Sequence, residues 1–198
     1  MQFLVLLLAA ATAFAAVPVR TIELVGGGDY RVNGALARSI GSGDFKEVLL
    51  HPEDPALAVK VFYNKWAPSI PEKRLEVANI RRLEEVGAAP RLVEQGAAMV
   101  AGKPAGFVVQ ERVEGTTLER AGSRKLAYVR DLFDRLAKAG IELGDTKTDF
   151  KLRENLMVGK TRSDGWGAYV VDADLVDSKK SPAELKAFYD GLFERLSR

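Results

Sequence analysis

The sequence has no cysteine, which excludes disulfide scaffolds, thiolate metal sites and cysteine nucleophiles. Its single histidine, His51, excludes multi-histidine metal centres and leaves histidine-based catalysis little to draw on. Neither charge is in excess. With 29 basic and 27 acidic side chains the formal net charge is +2, which gives no reason to expect nucleic acid as a partner. The longest apolar run, near the amino terminus, falls short of the ~20 residues a spanning helix needs.

What is present is a chain of 198 residues, 47% hydrophobic and 28% charged, enough for one compact domain of up to two lobes. Met1 to Ala16 carries no charge, and Phe3 to Ala11 is continuously apolar before the small residues around Ala13 and Ala15. This pattern predicts a secretory signal peptide over residues 1–15, cleaved after Ala15; the competing reading is a buried amino-terminal strand or helix. A secreted domain without disulfides either carries a sufficient core or works inside another cell, where disulfides would be reduced.

Strands are predicted over Val19–Val25, Arg31–Ile40, Phe45–Leu50 and Leu57–Tyr63, joined by glycine-rich and proline-rich turns into an antiparallel meander. Helices are predicted over Glu72–Val86, Ser123–Ala139 and the segment that follows Ser181. Gly140 supplies a C-cap for the second of these. In the third, Ser181, Pro182 and Glu184 form a capping signature. Shorter strands are expected at Arg91–Glu94 and Ala105–Arg112. His51, before Pro52 in a polar loop, is expected to be exposed, and Lys151 with Arg153 to form a solvated basic patch.

Gly41-Ser42-Gly43 at a strand-to-strand turn can let backbone N–H groups approach phosphate oxygens, or can be a plain hairpin. Lys60 interrupts the apolar strand Ala58-Val59-Lys60-Val61, where its ammonium group either finds an anion or snorkels to the sheet edge. Glu76 falls on the apolar stripe with Ile80 and Leu83 and is a natural partner for Lys60, unless it lies at the helix surface.

Together these segments resemble the amino-terminal lobe of the protein kinase-like superfamily, whose loop reads G-x-G-x-F-G-x-V and whose third strand reads V-A-x-K. Gly41, Gly43, Phe45 and Val48 match, and Lys46 stands in place of the third glycine. The resemblance implies an α+β, kinase-like fold: a five-stranded antiparallel amino-terminal lobe over about residues 19–113 and a strongly reduced helical carboxy-terminal lobe over about 114–198. It implies ATP and Mg²⁺ or Mn²⁺ as cofactors. Gly41, Ser42, Gly43, Val48 and Ala58 would surround the nucleotide, Lys60 would hold the α- and β-phosphates, and Glu76 would orient Lys60. Glu111 and Val113 would meet the adenine edge through their backbone, beside Gln110 at the gatekeeper position.

In the second half, Gly140-Ile141-Glu142-Leu143-Gly144-Asp145 is similar to the approach to a kinase catalytic loop, with Leu143 in place of histidine. Glu154-Asn155-Leu156-Met157-Val158 is similar to the segment that carries the metal-binding asparagine. Asp145 and Asn155 stand farther apart than in the family's H-R-D-x-x-x-x-N pattern. Either the loop carries an insertion and Asp145 is the catalytic aspartate, the reading favoured here, or Asp149 is. Asp172 resembles the D-F-G aspartate, with Ala173 and Asp174 following, so Asn155 and Asp172 would be the metal ligands.

The sequence lacks the activation segment and most of the helical lobe of ordinary protein kinases, so the outline resembles minimal kinases that some microbes secrete as effectors into host cells. That implies a secreted, monomeric enzyme which phosphorylates Ser or Thr of a host-cell protein, with no nucleic acid and no stable membrane insertion. Two alternatives follow from the departures. Gly144 before the aspartate suits a small-molecule kinase, whereas Leu143, Lys46, Ala173 and Asp174 suit an inactive pseudokinase that acts as a binding module.

Overall fold

The computed structural model describes residues 18–198 except 26–28, 43–45, 63–70, 101, 122–124, 145, 147, 173–174 and 177; the side chains of 71–76 and 104 are likewise outside it. The signal-peptide segment therefore lies outside the described residues. The fold is α+β, with antiparallel sheets and, among the described residues, four α-helices.

Strands β1 (Ile22–Val25), β2 (Asp29–Val32) and β3 (Ala35–Ala37) form an antiparallel meander. The single strand expected over Arg31–Ile40 is in fact divided. Asn33 (φ 52°) and Gly34 (φ 80°) are both left-handed, the backbone that a two-residue hairpin turn requires, and they fold β3 back on β2. The Asn33 amide also anchors the incoming chain: its Oδ1 accepts from Arg20 N–H (2.7 Å) and its Nδ2 donates to the Pro18 carbonyl (3.0 Å).

The next elements are β4 (Ser39–Ser42), β5 (Glu47–Leu50), β6 (Leu57–Phe62), helix α1 (Pro71–Glu85), β7 (Leu92–Val100) and β8 (Lys103–Glu111). The five strands build one antiparallel sheet in the order β4-β5-β6-β8-β7. Side chains alternate between faces along a strand, so the register sorts the residues. Leu49, Leu57, Val59, Val61, Phe107 and Val109 face the meander and share a core with Ile22, Tyr30 and Val32. Phe62 and Val108 face the other way, into a core with Ile80, Leu83, Leu132 and Phe133. β6 is buried at every position because both faces are covered, which explains its unbroken apolar run with Lys60 as the exception.

The second half contains β9 (Glu114–Thr117), α2 (Leu126–Lys138), β10 (Glu142–Leu143), α3 (Asp149–Asn155), β11 (Leu156–Lys160), β12 (Trp166–Val170), β13 (Leu175–Val176) and α4 (Pro182–Leu196). Gly140 (φ 69°) ends α2, and the full capping box of Ser181 and Glu184 starts α4. The two helices pack through Phe133 and Tyr189, whose ring centroids are 4.9 Å apart. β12, β11 and β9 make a second antiparallel sheet, and β10 pairs with β13. Among the described residues no helix is long and apolar enough to cross a membrane.

His51 corrects a further expectation. It is 1% exposed. The polar loop after it folds back so that the Glu53 and Asp54 N–H groups donate to its Nδ1, which uses the imidazole as an internal turn acceptor rather than leaving it in water. Arg153 is likewise half-buried and donates to the Leu196 carbonyl at 2.8 Å, while Lys151 is exposed.

Candidate functional site

On the sheet face turned toward the helices, cross-strand pairing forms two rows. Gly41, Val48, Lys60 and Val108 are successive partners in one, and Leu50, Ala58 and Gln110 in the next. Gly41, Val48 and Ala58, expected to surround a nucleotide, therefore share one surface, with Val48 half-buried and Ala58 buried; Ser42 pairs with Glu47 in the row of the opposite face and is exposed at the sheet edge. Lys60 is 7% exposed, and a buried ammonium group needs an acceptor. Its Nζ donates to the Val171 carbonyl at 2.7 Å, across 111 positions of sequence.

Val171 is where it is because β11 and β12 are paired from Leu156↔Val170 to Lys160↔Trp166. One step past the open end of that hairpin, Val171 N–H donates to the Asn155 carbonyl at 2.9 Å, which sets Asn155 beside the segment that carries Asp172. The Lys46 ammonium then meets Asp172 Oδ1 at 2.5 Å. β10 pairs Leu143 with Leu175, so the chain that leads to residue 145 runs beside the chain that leaves Asp172. The structure thus brings Lys60 and Lys46 onto the consecutive residues Val171 and Asp172, with the backbone of Asn155 beside them. Gly43 and Asp145 lie outside the described residues, as does the side chain of Glu76.

The interval between Asp145 and Asn155, longer than the family pattern, is mostly helical. α3 fills it, with Thr148 Oγ1 capping Lys151 N–H and Leu152 buried beneath. Asp149 is in the first turn of α3, paired with Arg195 of α4 (Nε to Oδ1, 2.9 Å); the same guanidinium donates to the Thr146 carbonyl. The carboxylate of Asp149 therefore ties α3 to α4.

Around the positions expected to meet an adenine edge, Val113 is buried and Gln110 donates to the Pro90 carbonyl at 3.1 Å. The Glu111 carboxylate is occupied within the protein. It accepts from Ser163 N–H (2.9 Å), Ser163 Oγ (2.5 Å) and Arg91 Nε (3.1 Å). Burial pushes its pKa up, but the Ser163 hydrogen bonds and Arg91 outweigh that and hold it below the usual carboxylate range. The tip of the β11–β12 hairpin is thereby latched to the end of β8, with Arg162 paired to Asp54 beside it.

Three supports escaped the sequence reading. Tyr189 of α4 accepts from Leu143 N–H at 3.1 Å and donates to the Ile141 carbonyl at 2.9 Å, which fixes the chain at Leu143; burial raises the pKa of this phenol. Glu142 is bound by Lys180 and Ser178, both at 2.5 Å, and these lower its pKa. Ser163 gave no signal, because nothing in a polar turn announces a buried carboxylate far away in sequence. Lys46 did give one, as the departure from glycine.

Asp172 and Asn155 offer carboxylate and amide oxygens, the hard donors that Mg²⁺ or Mn²⁺ takes. The half-exposed Asp172 carboxylate, 47% accessible, leaves room for water and phosphate oxygens to complete such a shell. Among the described residues no three His, Asp or Glu side chains cluster. No family model and no curated protein matches this chain.

Proposed function

We propose that the chain is a minimal phosphotransferase of the protein kinase-like fold, with an amino-terminal lobe over about residues 19–113 and a reduced helical lobe over about 114–198. It transfers the γ-phosphoryl group of ATP to Ser or Thr of a protein. The observation that carries this reading is the meeting of Lys60 with the Val171-Asp172 segment on the inner sheet face. A lysine in a central strand beside an aspartate at a hairpin end is what a nucleotide triphosphate with a divalent cation needs.

In this reading the Lys60 ammonium binds the α- and β-phosphates and Glu76 orients it. Gly41 and Gly43 admit the phosphates to the backbone, and Val48 and Ala58 pack the adenine. The carbonyl of Glu111 and the N–H of Val113 meet the adenine edge. Asp172 and Asn155 would hold Mg²⁺ or Mn²⁺, which supplies charge neutralisation on the phosphates. Asp145 orients the acceptor hydroxyl. Its oxygen bonds to the γ-phosphorus, the bond to the bridging oxygen breaks, ADP leaves and the proton passes to Asp145. Asp149, with its carboxylate on Arg195, is a structural residue. Residues 1–15 direct export, and the acceptor is a protein of a host cell.

The grip of Lys46 on Asp172 and the leucine at 143 favour a second reading, an inactive binding module of the same fold. Transfer from γ-labelled ATP to a eukaryotic lysate and to a panel of small hydroxyl compounds separates these readings. The parent chain labels protein, and Asp172→Ala lowers labelling by about 10² to 10³. Label on small compounds alone would make it a small-molecule kinase. No label with either metal would leave the binding module.

A further inference from the structure

Lys46 is the feature of this site that the family pattern leaves without a role. A glycine at its position serves only to let the loop approach phosphates, and a lysine does that worse. Its placement is nevertheless specific. Val48 pairs with Lys60, and Lys46, just before β5, reaches with its ammonium group the segment that Lys60 also meets. The two ammonium groups converge on consecutive residues: Lys60 Nζ on the carbonyl of Val171 at 2.7 Å and Lys46 Nζ on the carboxylate of Asp172 at 2.5 Å.

We infer that Lys46 is a second triphosphate-binding cation, stationed on the Asp172 carboxylate until nucleotide arrives and exchanged there for the divalent cation that accompanies it. The inference rests on the phosphotransferase reading and adds a residue to it. Three physical points carry it. The lysine side chain is mostly covered, 14% exposed, so its stem is fixed toward the site, whereas Asp172 is 47% exposed and can be reached by an incoming ion. Because the carboxylate of this ion pair is half-exposed and partly screened by water, a doubly charged cation with phosphate oxygens can compete for it. Once displaced, an ammonium group beside the segment that Lys60 also meets faces the same polyanion, where charge-assisted hydrogen bonds are at their strongest.

Titration calorimetry of the full chain with ATP and Mg²⁺, together with Mn²⁺ binding without nucleotide followed by electron paramagnetic resonance, tests this. Lys46→Met is expected to weaken ATP by about tenfold, the loss of one charge-assisted contact, and to tighten Mn²⁺ severalfold because Asp172 is released. Lys46→Arg keeps both constants near those of the parent. These opposite shifts separate a ligand-binding role from a structural one, which would weaken both. Lys46→Gln reads the same pattern should the methionine variant fail to fold. Unchanged constants in Lys46→Met, or a tightening of both, overturn the inference while Lys60→Met still loses ATP. Failure of the parent to bind ATP overturns the phosphotransferase reading and this inference with it.

Discussion

Lys60→Met is expected to abolish stabilisation by ATP and to lower phosphoryl transfer by about 10² to 10³. The size follows from linkage. At a hundredfold excess over the dissociation constant, a ligand bound only by the folded state adds about 2.7 kcal/mol. For a domain of this size that raises the melting temperature by roughly 5–10 °C. Methionine keeps the length and apolar stem of lysine, so the strand packing of β6 survives. What disappears is the ammonium group that now satisfies Val171, and an unpaired carbonyl costs about 1–3 kcal/mol of stability without ligand. The variant should therefore melt somewhat below the parent and show no response to ATP in a thermal-shift titration. An undiminished ATP response in this variant would remove Lys60 from the site.

The second large effect concerns the frame that carries the site. Gly115 and Gly159 face each other where β9 crosses β11. A Cβ on Gly159 would stand 2.6 Å from the Glu114 carbonyl oxygen and 2.7 Å from Gly115 Cα, and one on Gly115 would stand 2.1 Å from the Val158 carbonyl oxygen. These neighbours are backbone and cannot rotate away, so a methyl group must separate the strands. Gly159→Ala is expected to cost about 4 kcal/mol, near the top of the range for single substitutions. Gly191→Ala, at an exposed position of α4 with nothing within 4 Å of the added carbon, should instead stabilise by about 0.5–1 kcal/mol. Urea denaturation of the two variants beside the parent measures both shifts, and an unchanged midpoint for Gly159→Ala would contradict the close strand crossing. Because β11 and β12 position Asn155 and Asp172 at their open end, the same substitution should also weaken ATP binding.

Much of this architecture was legible in the sequence where burial is two-sided or periodic. The run around Lys60 marked a central strand, and the stripe of α2 and the cap of α4 marked helices whose ends fall within a few residues of expectation. Asn33-Gly34 was equally legible as a hairpin, but it was submerged in a β-prone stretch read as one strand. α3 could not be read. Seven residues give too few turns for a periodic signal, and its stability comes from the Thr148 cap, the burial of Leu152 and the Arg195 pair, which are tertiary facts. His51 illustrates the same limit, since the acceptor role of its Nδ1 is created by the fold of the loop after it.

At the site, sequence order and residue type suggested Lys60, Asn155 and Asp172; the structure joins their segments through the Lys60–Val171 hydrogen bond and the backbone bond from Val171 to Asn155. Sequence could not show that Lys46 reaches Asp172 across 126 positions, or that Ser163 and Arg91 would occupy the carboxylate of Glu111. Such contacts depend on how the β11–β12 hairpin is docked against the five-stranded sheet, and local pattern carries no record of that.

The central claim is that the inner face of this sheet, at Lys60, receives a nucleotide triphosphate. An ATP analogue with an acyl group on its terminal phosphate tests it most directly. A lysine amine beside the phosphates attacks the acyl carbon, an amide forms and ATP departs, and mass spectrometry locates the modified residue. The account predicts acylation at Lys60 and Lys46, suppressed by excess ATP. Acylation confined to exposed lysines such as Lys186, indifferent to ATP, would contradict it.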